Sequence, residues 1–335
     1  MVNLITDQLN RPLHDLRISL TDRCQFRCNY CLPAEHVDVM RQQSQPGKHL
    51  SFKEITQAAQ VFAQLGVHKI RLTGGEPLLR KGVPDLIRQL KNIKGIKDLA
   101  MTTNGSLLKA ALPALVDAGL DRITVSLDAI DDVLFKKITG TQQSVKTIID
   151  NIFECTDTQL QAIKVNCVIQ KGVNEEQIIP ILELFKGTRV EVRFIEFMDV
   201  GNLNNWHPDM VLSTAALLQK VHQYRGFQST RCSDDKPVAH RYKFIDGLGT
   251  FGTISSISQP FCQDCSRVRL SADGQIYTCL FSQHGYDIRQ LLNAPTQLKH
   301  RLTELWQHRS DQYSLERMKQ HNKQSKRIEM FVMGG

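Results

Sequence analysis

Three cysteines stand within eight residues as Cys24-x3-Cys28-x2-Cys31, with no fourth cysteine near them. A cubic [4Fe-4S] cluster takes one thiolate per iron, so three thiolates leave one iron open to a small-molecule ligand. Such an iron is a place for reaction, and Tyr30 sets an aromatic ring in the second gap of the triplet. Structural zinc wants four ligands, commonly in C-x2-C pairs, and the nearest histidines, His14 and His36, lie outside the triplet.

A second group, Cys262-x2-Cys265-x13-Cys279, is again a set of three with no cysteine after it. Here C-x2-C is also half of a zinc knuckle and His284 is a ready fourth ligand, so spacing alone leaves zinc and a second cluster both open. Arg267 and Arg269 follow Cys265 in an extended run, where alternation puts both guanidinium groups on one face. Two planar, bidentate donors side by side suit a carboxylate or phosphate. Lys69 and Arg71 repeat the alternation, and Arg17 stands ahead of the first triplet. Positive charge turned inward on apolar strands is costly unless an anion answers it.

The elements that carry these residues alternate. Runs rich in β-branched and apolar residues at 16–20, 69–73, 99–103, 122–127, 164–169 and 191–197 read as strands. Helical stretches lie between them; the clearest begins at Ser51, which forms a capping box with Glu54 and runs to a stop at Gly66. The same grammar recurs from Ser106 to Gly119. Alternation of this kind predicts an α/β fold, a partial (βα)6 TIM-type barrel of parallel strands, with reactive residues at the C-terminal strand ends. The first triplet, Gly74-Gly75-Glu76-Pro77, Thr102-Thr103-Asn104-Gly105, Ser126-Leu127-Asp128 and Glu196-Phe197-Met198 all fall at that edge. From about Gly201 the alternation loosens, with one more helix near 213–224 and a β segment at 241–245. The expected organisation is therefore a barrel over 1–200 and a C-terminal α+β extension over 201–335 that closes it and carries the second cysteine set. Gly247-Leu248-Gly249-Thr250-Phe251-Gly252 fits G-x-G-x-x-G, but a β-like run follows where a dinucleotide fingerprint needs a helix; it reads as a tight backbone segment near the substrate.

Composition narrows the class. The 335 residues are 41% hydrophobic and 23% charged, ordinary for a globular protein. A formal net charge of +8, from 42 Lys and Arg against 34 Asp and Glu, allows an anionic partner. Aromatics are only 7% and no basic run appears, which argues against nucleic acid. No signal-peptide pattern and no long apolar stretch is present, so the expectation is a cytoplasmic protein without a membrane partner. Six of nine cysteines fall in the two groups; Cys155, Cys167 and Cys232 are scattered and read as small buried residues.

The triplet with Tyr30 before its last cysteine resembles the signature of the radical S-adenosylmethionine (SAM) superfamily. The wider pattern of Leu16-Arg17-Ile18-Ser19, Thr21-Asp22-Arg23-Cys24, Arg71 to Pro77, Thr103-Asn104-Gly105, the second triplet and the terminal Gly334-Gly335 is similar to its GTP 3′,8-cyclase family. The resemblance implies that Cys24, Cys28 and Cys31 hold a [4Fe-4S] cluster with SAM on the open iron. It implies a second [4Fe-4S] cluster on Cys262, Cys265 and Cys279 that meets the guanine of GTP. SAM is then expected against Tyr30, Gly75, Ser126 and Met198, and GTP against Arg17, Arg71, Thr102, Lys164, Arg267, Val268 and Arg269. Arg17, Arg267 and Arg269 also form the implied catalytic set. The implied reaction takes the ribose H3′ with a 5′-deoxyadenosyl radical, joins C3′ to guanine C8 and gives (8S)-3′,8-cyclo-7,8-dihydroguanosine 5′-triphosphate, the first step toward molybdopterin. An external electron donor, a downstream enzyme of molybdopterin synthesis and a homodimer come with the same resemblance, as does entry of the Gly-Gly tail into the active site. Gln25 departs from the family, which commonly has Asn after the first cysteine. The alternatives are another radical SAM enzyme with an auxiliary cluster, such as a peptide modifier, and a zinc-binding or nucleic-acid module without catalysis.

Overall fold

The structure, a computed structural model, describes residues 5–36, 49–230, 238–320 and 327–334. Cys232 and Gly335 lie outside the described residues. Six strands alternate with helices as the sequence predicts: β1 (Asp15–Ser19), α1 (Phe52–Gln64), β2 (Lys69–Thr73), α2 (Val83–Lys91), β3 (Asp98–Thr103), α3 (Leu108–Asp117), β4 (Arg122–Ser126), α4 (Asp132–Thr139), α5 (Val145–Thr156), β5 (Ala162–Ile169), α6 (Ile178–Leu184) and β6 (Val190–Glu196). The local signals behave as their chemistry requires. Ser51 accepts a bond from the Glu54 amide at 3.2 Å while the Glu54 carboxylate accepts from the Ser51 amide at 2.7 Å. Gly66 then takes a φ of +108° to turn the chain out of α1.

After β6 come α7 (Thr214–Tyr224), β7 (Phe227–Thr230), β8 (His240–Phe244), β9 (Thr250–Ile254), β10 (Arg267–Leu270), β11 (Gln275–Tyr277), β12 (Tyr286–Asp287), α8 (Pro295–Gln307), α9 (Tyr313–Gln320) and α10 (Met330–Met333). All twelve strands join one sheet in the order β12-β11-β10-β1-β2-β3-β4-β5-β6-β9-β8-β7. β10 pairs parallel to β1, and β9 pairs parallel to β6, so the extension supplies both neighbours of the six-strand run. The expected closure takes another form. Each added parallel strand carries an antiparallel neighbour on its outer side, β11 beside β10 and β8 beside β9, so the edges point outward and hydrogen bonds do not close the sheet among the described residues. Leu16, Ile18, Ile70, Leu72 and Ile123 of the strands share one buried cluster with Ile55, Phe62 and Leu86 of α1 and α2. Replacing such a residue by alanine costs about 2–5 kcal/mol, which makes the scaffold beneath the loops stiff.

The G-x-G-x-x-G segment is the turn between antiparallel β8 and β9, with Gly247 and Gly249 at φ of +77° and +113°. It opens β9, and β9 runs parallel to β6, so the turn lies at the opposite sheet edge from the cysteine loop. Gly247 and Gly249 serve the hairpin, while Gly252 lies in β9 beside Arg193.

Candidate functional site

The first triplet sits in the loop that leaves β1, and the Gly74-Gly75-Glu76 turn that leaves β2 is pressed against it. The Gly75 amide donates to Thr21 O and the Glu76 amide to Arg23 O, each at 2.7 Å. A Cβ on Gly75 would stand 2.3 Å from Arg23 O, and one on Gly74 would stand 2.5 Å from Thr21 O. Only residues without a side chain allow this approach. Both amides are spent on the loop, so carbonyls are what the turn can offer an ammonium group. The three thiols are close enough to feel one another's charge. Burial raises the Cys28 thiol, and Cys31, Asp128 and Cys24 raise it further; burial and then Cys24 raise Cys31. Such thiols stay protonated unless a cation takes the proton's place. Three thiols held together in this way, two loops locked by glycine, fit the corners of an iron-sulfur cluster.

Acids around this loop are committed to holding it. Tyr30 Oη donates to Asp128 Oδ2 at 2.6 Å, and the Val168 amide donates to Asp128 Oδ1 at 2.8 Å. Burial lifts the Asp128 carboxyl to about 6 against the pull of those two bonds. Glu76, buried at the next strand end, accepts from Thr103 Oγ1 at 2.8 Å and from the Asn104 and Leu78 amides at 2.7 and 3.0 Å. Burial carries it to about 7. Ser126 ends β4, half-buried, and Met198 follows β6, packed near Val200 and Phe281. Glu196 turns out to anchor loops: its carboxylate takes the Thr214, Ile257 and Ser258 amides at 2.7, 2.8 and 2.8 Å.

Below the loops, the strands turn cations inward. Sheet register sets Arg269 beside Arg17 and Arg17 beside Arg71. Burial lowers the Arg17 guanidinium well below its usual range, and Arg267, Arg269 and Arg71 lower it further, with Asp15 the opposing charge. Arg71 Nη1 donates to Thr102 Oγ1 at 3.0 Å and Thr124 Oγ1 at 3.1 Å, hydroxyls rather than acids. Arg267 lies over the Phe261 ring at 4.8 Å, and its buried Nε and Nη2 have no partner. Burial, with Arg193, Arg122 and Arg71, brings Lys164 down to about 7. The structure thus gathers Arg17, Arg71, Lys164, Arg267 and Arg269 into one lining, while Lys69 stands 4.0 Å from Asp98. Val268 is different: it is buried among the core residues, on the opposite face from Arg267 and Arg269, so only its backbone can meet a ligand. Sequence reasoning missed Arg122 and Arg193 in this lining. They are answered by Asp98 and by Glu191, and the alternation of Glu191 with Arg193 was the available signal.

The second triplet flanks the start of β10 and the end of antiparallel β11, at the sheet edge opposite the first loop. Burial pushes the Cys265 thiol up, but Arg267 and Arg309 outweigh it and the net shift is downward. Burial and Asp311 raise Cys279 to about 12. Arg309, unmarked in the sequence, donates to Cys265 O at 2.6 Å, and Arg11 donates to Cys262 O at 2.8 Å. Among the described residues no three Cys, His, Asp or Glu side chains are drawn together at single-ion distances, at this set or at the first. The tail meets the lining from the other edge, at the C-terminal ends of β1 and β2. Gly334 is buried at φ +73°, its carbonyl accepts from Arg269 Nη1, and a Cβ on it would stand 2.4 Å from Thr73 Cγ2.

The comparisons with known proteins agree with this geometry. Residues 18–185 match the radical SAM superfamily, and residues 190–315 match Molybdenum Cofactor Synthesis C. A GTP 3′,8-cyclase of Xanthomonas axonopodis pv. citri is 44% identical over 98% of this chain and 98% of its own. One of Staphylococcus aureus is 45% identical over 100% of both. Among solved structures, Streptococcus suis SuiB bound to S-adenosylmethionine superposes with a TM-score of 0.60 at 15% identity, covering 85% of this chain and 64% of that one, a likeness of fold. A cysteine loop locked to a glycine turn, on a barrel whose relatives match from end to end, places the chain in the GTP 3′,8-cyclase family of the radical SAM superfamily.

Proposed function

We propose that the protein binds GTP in the cationic lining between the two cysteine sets and closes the C3′–C8 bond there, as the first step of molybdenum cofactor synthesis. The observation that carries this is the register of β10 on β1: it brings Arg269 beside Arg17 and Arg71, three cations with Asp15 the one opposing charge on Arg17. A triphosphate supplies the rest, and Arg offers it paired donors. Arg17, Arg71, Lys164, Arg267 and Arg269 would hold the nucleotide; Thr102 already holds Arg71 in place. Cys262, Cys265 and Cys279 would hold a second cluster at its guanine end.

With SAM on the first cluster, the cofactor supplies the 5′-deoxyadenosyl radical that starts the chemistry. The chain's part is to aim and enclose. Gly74 and Gly75 hold the triplet loop against the turn after β2, and Asp128 fixes Tyr30 beneath it. Tyr30, Gly75, Ser126 and Met198 are the residues that would line the SAM side. Gly334 accepts from Arg269 at the tail side of the lining. Reduction of the closed ring needs an electron from an external donor, and the product passes to a downstream enzyme. No helix of the described residues is long and apolar enough to cross a membrane; a cytoplasmic homodimer is the form proposed. Anaerobic incubation of the reconstituted protein with SAM, dithionite and GTP, followed by mass analysis of the nucleotide, tests the reading. A GTP-dependent isomer of GTP is expected; 5′-deoxyadenosine with GTP left unchanged would favour a different radical SAM substrate.

A further inference from the structure

One of the three thiols of the first loop has a partner from a distant strand end. Asn104 Nδ2 lies 3.7 Å from Cys24 Sγ, within hydrogen-bond range for sulfur, while the Phe26 amide approaches the same sulfur at 3.4 Å. The side chain of Asn104 has no freedom to turn over. Its Oδ1 accepts from the Ser106 amide at 3.0 Å, from Ser106 Oγ at 2.7 Å and from Gln25 Nε2 at 3.5 Å. Three donors on the oxygen leave the amide nitrogen facing the sulfur. The backbone of Asn104 is pinned as well, since its amide donates to Glu76 Oε2 at 2.7 Å. Gln25 also donates to Ser106 Oγ, so the residue after the first cysteine reaches over the loop and braces the amide that touches that cysteine.

We propose that Asn104 is a positioning residue that tunes the first cluster, braced by Gln25 and Ser106 and seated by Glu76. A donor to a thiolate lowers electron density on sulfur and favours the reduced cluster, because hydrogen bonds to the sulfurs are among the terms that set its potential. Reduction of this cluster is what makes the radical, so the amide sits at the step that starts turnover. Gln25 takes part through Asn104 and Ser106, which explains how a longer amide than asparagine serves after the first cysteine: the extra methylene lets it span to the loop after β3. The inference rests on the radical SAM reading of the loop, and its test separates the two.

The experiment is a redox titration of the reconstituted holoenzyme, followed by electron paramagnetic resonance. The signal that changes on adding SAM reports the first cluster, and iron and sulfide are counted in the same sample. In Asn104→Ala, the equilibrium constant for one-electron reduction is expected to fall about tenfold, a shift of about 59 mV to more negative potential, with cluster content retained. Gln25→Ala, an exposed change that should not disturb folding, is expected to shift it in the same direction by less. Unchanged midpoints in both variants at full iron content would overturn the proposal. Loss of iron from Asn104→Ala together with an unmoved midpoint in Gln25→Ala would overturn it too and make the residue structural. If no signal in the wild-type protein responds to SAM, the radical SAM reading of the loop fails before the tuning is tested.

Discussion

Gly75→Ala tests how tightly the two loops are locked. The added methyl would stand 2.3 Å from Arg23 O, 2.5 Å from Arg23 C and 3.0 Å from Asp22 O, all backbone atoms. Carbon contacts settle at about 3.5–4.0 Å, so the turn and the cysteine loop must part by roughly 1 Å. Parting them strains the Gly75-to-Thr21 and Glu76-to-Arg23 bonds, both 2.7 Å. Two such bonds are worth about 0.5–1.5 kcal/mol each and overpacking costs about 1–3 kcal/mol, so the total is about 2–6 kcal/mol. The loss is local at first, because the core beneath is untouched, but Arg23 adjoins Cys24 and carries the ligand with it. A misplacement near 1 Å costs about 100-fold in rate. The assays are iron and sulfide content after anaerobic reconstitution, thermal unfolding, and the initial rate of 5′-deoxyadenosine formation. A rate down about 100-fold, with a lower unfolding midpoint, is expected. Wild-type rate and midpoint would refute the reasoning, since the methyl would then have found room that the geometry denies it.

Four further outcomes rest on the same structure. Lys164, at about 7 in the folded chain against 10.5 for an exposed lysine, carries its charge below pH 7 and loses it above; the KM for GTP is expected to rise by up to about tenfold per pH unit above 7, and Lys164→Met to flatten that rise. Because the folded value lies below the unfolded one, this group costs stability below pH 7, and the cost is relieved between about 7 and 10.5, which a pH series of denaturant melts can read. Cys24→Ala should abolish 5′-deoxyadenosine formation, whereas Cys279→Ala should keep some SAM cleavage uncoupled from GTP; equal loss in both would argue against separate roles for the two sets. Gly201→Ala would put a methyl 2.1 Å from Glu329 Oε2 and break that carboxylate's bonds to the Asn202 amide and side chain, both 2.9 Å. Limited proteolysis with mass readout should then show the C-terminal segment cut faster than in wild type.

Much of the barrel could be read from the chain because its signals are local. The six strands appear within two residues of their expected bounds, since β-branched runs and turn glycines act on their immediate neighbours. Ser51, Glu54 and Gly66 carry out the helix signals they advertise. The cysteine sets and the inward arginines could be found for a related reason: their chemistry is unusual at any position on an apolar strand. What could not be read depends on pairing across long separations. Nothing near Arg267 announces that it will lie opposite Asp15. Asp128 reads as a strand-end acid until Tyr30, from a loop about a hundred residues earlier, is seen on it. Arg122 and Arg193 pass for surface charges on alternating strands, and Val268 looked like a contact although the same alternation that favours Arg267 and Arg269 turns it into the core.

The pairing of β10 with β1 is the step that makes these parts one site. Without it the barrel would present a cysteine loop at the far end of β1 with Arg17 and Arg71, and the extension a second loop at the near end of β10 with Arg267 and Arg269, each set short of acid. Parallel register joins them: Arg17 stands level with Arg269, and Leu16 and Ile18 level with Val268 and Leu270. The apolar positions of both strands then enter one core, and its burial offsets the repulsion of the arginines on the other face. Four buried or half-buried side chains of this kind contribute about 1.5–3 kcal/mol each on removal from water, enough to hold like charges together until an anion arrives. Gly334 lies across the ends of β1 and β2 and gives its carbonyl to Arg269, so the segment after α10 provides an uncharged acceptor to a cation that the extension itself introduced.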